Sequence, residues 1–262
     1  MPSDGLMPSC VVAAAALSGA GGVLLGFQLR RRAPVWFDLP AHEPDVARWI
    51  RARRRGLRTQ LAQGRNWLAA AAAAILAGAL AVPVERHELL PSLLLMLVLL
   101  PPIAMIDWQE AAVPDGLVLP LGMLGLVHGA VRGPGLFDAV AAAILNAATI
   151  AALLWLAAAR RAARPRRRGG ATAESGALAW GDVLLMAGVG GFVSLEGLPA
   201  FWLLAGLVHA VAFVMARLTH GGERLPAALP LAPAICVACF AVQCARAWWG
   251  ADPLTLLLGL HA

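Results

Sequence analysis

None of the 21 basic side chains in this 262-residue chain is lysine; all are arginine. Charge of either sign is scarce, at 14% of residues, while 60% are hydrophobic and the mean hydropathy is +0.73. Soluble domains carry about a quarter charged residues, so this composition excludes a water-soluble globule. Cysteine is equally sparse: Cys10, Cys236, Cys239 and Cys244 are the full set. Cys236 and Cys239 have C-x-x-C spacing, but they lie in an apolar run. With no second pair there is no four-ligand zinc site, and they read as small apolar helix residues. No glycine-rich phosphate loop stands out either. Gly188-Val189-Gly190-Gly191 falls inside an apolar run, where glycines let helices approach closely.

What the chain has is a series of apolar runs near the ~20 residues that cross a bilayer. They predict an all-α, polytopic membrane helix bundle of about eight transmembrane helices. The expected spans are Val11–Leu29, Trp67–Val84, Leu89–Ile106, Leu117–Val131, Leu136–Ala159, Leu178–Leu195, Leu198–Ala216 and Leu225–Val242. Only Asp4 is charged ahead of the first span, while Arg30, Arg31 and Arg32 follow it. A secretory signal has the opposite polarity, so a retained anchor is expected, its C-terminal end cytoplasmic. The chain then divides into that span at 1–29, a short basic loop at 30–66, a membrane core at 67–249 and a tail at 250–262. Alternating the spans puts the Arg-rich stretches at 30–65 and 160–168 on one side, which is the positive-inside pattern. A pI near 10.7 would suggest nucleic acid in a soluble protein. Here the arginines cluster in loops, so the lipid bilayer is the expected partner and nucleic acid is not.

Two carboxylates break the apolar pattern at span ends. Asp107 closes the third span and Asp182 opens the sixth, both on the predicted cytoplasmic side. An ionisable group at such a place is costly and so marks a functional site. If the two approach, both cannot ionise easily and one proton is shared. The ionised member can take a proton from water as it attacks a peptide carbonyl, and the other can polarise the carbonyl oxygen. The alternative is that each caps a helix alone. Pro114 and Asp115 restart the chain after the polar break and suit a helix N-terminus, so Asp115 reads as a cap at least as well as a catalytic residue. Gly181, beside Asp182, permits close backbone approach. His128 and His209 lack acidic partners and read as packing residues.

The residues Ile106-Asp107, six further positions, Pro114-Asp115, then Leu117, Pro120 and Leu121 resemble the first block of the type IV prepilin peptidases, I-D, six residues, P-D-x-L-x-x-P-L. Ala179-Trp180-Gly181-Asp182-Val183-Leu184-Leu185 partly matches the second block, G-x-G-D-x-K-L. Pro230-Leu231-Ala232-Pro233 echoes a late P-x-G-P. The resemblance implies a bacterial membrane aspartyl protease of the GxGD type. Asp107 and Asp182 would form its catalytic pair, with Pro114, Asp115 and Gly181 as motif or supporting residues. It implies no metal and no cofactor. The implied partners are prepilin or pseudopilin substrates, cut at a short basic leader at the cytoplasmic membrane face. Ala179, Leu184 and Ala232 depart from the family residues. Ala179 and Leu184 motivate a second reading, a degenerate, non-catalytic assembly partner in a pilus or secretion system. The Cys-pair domain that many members use to methylate the new N-terminus has no counterpart at 30–66, so methyltransferase activity is not expected.

Overall fold

The computed structural model describes residues 6–29, 71, 73–78, 89–110, 113–132, 135–162, 180–219 and 230–249. The basic segment at 30–66, the turns expected at 85–88 and 220–224, position 179, the stretch at 163–178 and the tail at 250–262 lie outside the described residues. Among the described residues every regular element is helical: α1 (Leu6–Leu29), α2 (Leu90–Glu110), α3 (Asp115–Arg132), α4 (Gly135–Ala162), α5 (Trp180–Thr219) and α6 (Ala232–Trp249). Four stretches are long and apolar enough to cross a membrane, namely Leu90–Trp108, Gly135–Arg160, Trp180–Leu218 and Ala232–Trp249. The chain is thus an all-α membrane helix bundle.

The expected sixth and seventh spans form one helical stretch, α5, of 40 residues. At ~1.5 Å per residue a straight helix of that length would reach about 60 Å, twice the hydrocarbon core of a bilayer. It is not straight. Ser194 has φ 61° and ψ 165°, well outside helical values. The Asn146 side chain on α4 reveals what the break does. Its Nδ2 donates to the carbonyl of Met186 at 2.6 Å, and its Oδ1 accepts from Trp202 Nε1 at 2.7 Å. Along one helix Met186 and Trp202 would stand about 24 Å apart, beyond the reach of one amide. The chain therefore doubles back at Ser194, midway between them, and both limbs pack on α4. The reversal comes just before Glu196-Gly197, where the turn was expected, because Ser194 and not Gly197 takes the left-handed backbone.

Other boundaries shift for identifiable reasons. The expected third span ends at Ile106, but α2 continues to Glu110, so Asp107 lies within the helix, one turn from its end. Pro101 and Pro102 do not end it. Each removes the N–H that would bond four residues back, freeing the carbonyls of Leu97 and Val98. Gly22 of α1 lies against these carbonyls: a Cβ there would sit 2.5 Å from the Leu97 oxygen and 3.0 Å from that of Val98. The backbone of α1 covers the bent stretch. The last helix was expected over Leu225–Val242 and instead runs from Ala232 to Trp249. Its start follows Pro230, and Pro233 falls in the first turn, where a missing N–H costs nothing.

Small residues set the packing of α3 against α5. A Cβ on Gly191 would lie 2.5–2.8 Å from backbone atoms of Gly125 and Leu126, and one on Gly125 would meet the Gly188 carbonyl at 2.7 Å. The glycines at 188–191 thus serve close helix contact, as their place in an apolar run suggested. Phe192, Phe201, Met96, Leu121 and Ile235 fill the interior between the helices.

Candidate active site

One end of the bundle gathers the C-terminal end of α2 and the N-terminal ends of α3, α5 and α6. The local reasons are capping. At α3, the Pro114 carbonyl accepts the first helical bonds, from Leu117 N at 3.0 Å and Val118 N at 3.2 Å. Asp115 is then the first helical residue, exposed, with its charge at the positive end of the helix. At α6, the Leu231 carbonyl takes the same part, accepting from Ala234 N at 3.0 Å and Ile235 N at 3.2 Å. The N–H of Ala232, the first residue of α6, has no intrahelical partner, as at every helix start.

That N–H donates to Asp107 Oδ2 at 2.9 Å. Asp107 is only 4% exposed, so this bond satisfies an oxygen that water scarcely reaches. Asp182 lies in the first turn of α5, half-buried, and Asp107 is the charged neighbour that acts on it. The two motif acids, remote in sequence, therefore stand at the same end of the bundle, within electrostatic reach of one another. The Asp182 Oδ1 atom is buried and has no hydrogen-bond partner among the described residues. Pro114 is buried, and Asp115 is exposed.

What approaches Gly181 is the chain itself. A Cβ there would lie 2.7 Å from Val113 Cβ and 3.2 Å from the Val113 carbonyl oxygen. The missing side chain lets the start of α5, which carries Asp182, lie against the 113–114 connection. Leu184, two residues on, points about 200° around the helix from Asp182 and is exposed.

Sequence reasoning overlooked two neighbours of the pair. Ala232 enters through its main chain, and its only sequence signal was the echo of a proline-flanked block. Cys236 is buried one turn further along α6 and within electrostatic reach of Asp107. Among the described residues, no three His, Cys, Asp or Glu side chains gather as a metal site requires. Trp108 and Trp180 are exposed at this end and Trp248 and Trp249 at the other, the arrangement of interfacial anchors.

The opposite end holds a second polar group that the sequence reading did not single out. It surrounds the reversal at Ser194. The Phe192 carbonyl accepts from Gln243 Nε2 at 2.8 Å and from Arg246 Nη1 at 3.3 Å, and Arg246 Nη2 donates to Ser194 Oγ at 2.9 Å. Leu195 N donates to Asp138 Oδ2 at 3.3 Å. Each contact satisfies a main-chain or hydroxyl group left open where the helix is broken. His128, 2% exposed, stacks at a tilt on Phe192, its Nδ1 2.8 Å from Ser92 Oγ. Its partner is a serine and not an acid, in keeping with a packing role. Gln243 and Asn146 were legible in principle as polar residues inside apolar runs.

Residues 92–214, a stretch that contains both acids and the reversal, match the model of the type IV leader peptidase family. No curated protein and no solved structure matches the chain at a significant level.

Proposed function

We propose that this chain, whose residues 92–214 are of the type IV leader peptidase family and thus of a protease, is an aspartic endopeptidase acting through Asp107 and Asp182. What supports this reading is that both motif acids lie at one end of the bundle. Asp107 is anchored by a main-chain amide, and Asp182 is close enough to feel its charge. Two carboxylates so disposed share one proton, and a water between them becomes a nucleophile. The family points to prepilin-type substrates in general. The finer reading is that prepilins or pseudopilins lose a basic leader at the cytoplasmic face of a bacterial inner membrane. Their apolar segment would lie in the bilayer beside α2 and α5, which brings the scissile bond to the height of the acids.

The test is cleavage of a pilin-like substrate co-expressed with wild-type, Asp107→Asn or Asp182→Asn chain. Wild type is expected to convert the substrate to a faster-migrating form. Each variant should accumulate in the membrane yet lower conversion by at least about a thousandfold, the scale on which loss of an essential acid or base acts. Normal processing by either variant would remove the aspartyl mechanism. The second reading, a non-catalytic assembly partner, is motivated by Leu184 and by Ala179. It expects no processing by wild type and a complex that survives pull-down in both variants.

A further inference from the structure

We infer that the main-chain N–H of Ala232 is a working part of the acidic site: it holds Asp107 as the ionised, water-activating member and leaves Asp182 as the member that carries the proton. This deepens the peptidase reading and rests on it.

The two acids are treated unequally by their surroundings. Asp107 accepts an N–H at 2.9 Å from the first residue of α6. That donor is one of the open amides at a helix start, where aligned peptide dipoles favour negative charge. A donor directed at a carboxylate makes a charge-assisted bond and stabilises the anion over the acid. Asp182 also lies in a helix first turn, but its Oδ1 is buried and has no donor among the described residues. A buried carboxylate oxygen without a donor is expensive, and a neutral carboxyl there costs less. One shared proton therefore resides on Asp182.

The chemistry then follows in order. Water gives a proton to Asp107 as its oxygen bonds to the peptide carbonyl carbon, and the Asp182 proton passes to the carbonyl oxygen. The resulting gem-diol collapses. Asp107 returns its proton to the departing amine nitrogen, the C–N bond breaks, and a diol hydroxyl restores the proton on Asp182. Both carboxyl groups end as they began. Ala232 N–H takes no proton; it is a positioning group, and it keeps Asp107 Oδ2 fixed while the other oxygen works.

Position 232 permits a direct test, because proline is tolerated at the first residue of a helix and removes only the N–H. Full-length wild type, Ala232→Pro and Ala232→Gly in detergent micelles are compared on a fluorogenic peptide that joins a basic leader to the start of an apolar helix. Ala232→Pro is expected to lower kcat ten- to a hundredfold with KM within about twofold of wild type. Ala232→Gly, which keeps the donor, is expected to recover most of that loss. A wild-type kcat in Ala232→Pro, or equal losses in the Gly and Pro variants, overturns the inference. Should Ala232→Pro fail to accumulate, the order of the two asparagine variants decides. Asparagine mimics a neutral, donating carboxyl, so Asp182→Asn should retain at least about tenfold more residual cleavage than Asp107→Asn. Equal loss or the reverse order overturns the assignment. A wild-type chain that cleaves no leader peptide removes the peptidase reading and this inference with it, whereas active wild type beside an unaffected Ala232→Pro removes this inference alone.

Discussion

A methyl group added at Gly181 would lie 2.7 Å from Val113 Cβ, a side chain with little freedom, and 3.2 Å from a main-chain oxygen. Something must move, and the nearest soft joint is the start of α5, which carries Asp182. Gly181→Ala gains up to about 1 kcal/mol of helix propensity, so it need not destabilise the fold. It should nonetheless displace the acid, and misplacements near 1 Å cost on the order of a hundredfold in rate. The expected result is normal accumulation in the membrane with kcat down ten- to a hundredfold, measured by leader cleavage. Undiminished cleavage would mean that the close approach at Gly181 has no bearing on catalysis. The acids themselves were legible in the sequence, because a carboxylate at the end of an apolar run is costly enough to demand a reason. Ala232 was not. Every residue but proline carries the same main-chain N–H, so no residue type announces which amide meets which carboxylate. Only the packing of α6 against α2 reveals that.

Helix ends and crossings decide where those residues stand. Apolar length predicted most of the elements, since α1, α3 and α4 begin and end within a few residues of the expected spans. The largest miss is the last span, which was expected to run through its prolines. Pro101 and Pro102 stay within α2 because α1 lies against the carbonyls they free, and α6 starts later than expected because Pro230 and Pro233 mark its beginning. The α3–α5 crossing is the contact that leaves least room for change. Gly191 faces the backbone of Gly125 and Leu126, and backbone atoms cannot rotate aside as a side chain can. Gly191→Ala is therefore expected to push the helices apart and to lower stability by about 1–3 kcal/mol, the range for overpacked interiors. Reversible unfolding in mixed micelles would measure it. A variant as stable as wild type would mean that the crossing can relax at no cost, contrary to the spacing.

At the scale of the whole molecule, the question is which face of the membrane the acidic site meets. α1 runs alongside α2 in the same direction, since Gly22 lies by Leu97 and Gly26 by Pro102 and Met105. Its C-terminal end therefore lies at the end of the bundle that holds Asp107, and Arg30 to Arg32 follow it in sequence. α4 starts at the opposite end, where Asp138 meets Leu195, and its 28 residues, about 42 Å, carry Arg160 and Arg161 back toward the acids. The returning limb of α5 brings Arg217 to the same end. Only Arg132 and Arg246 stand at the far end among the described residues. Arginine near span ends is retained on the cytoplasmic side, so this asymmetry predicts that the acids face inward. Replacing the four native cysteines and introducing one at a time gives the test. Gly116→Cys, exposed beside Asp115, should react with a membrane-impermeant maleimide only in inverted vesicles. Glu196→Cys, exposed at the reversal of α5, should react only in intact spheroplasts. The opposite labelling pattern would put the acids on the outer face, where a leader still held in the cytoplasm could not reach them, and an inner-face substrate would have to be abandoned even if both acids prove essential.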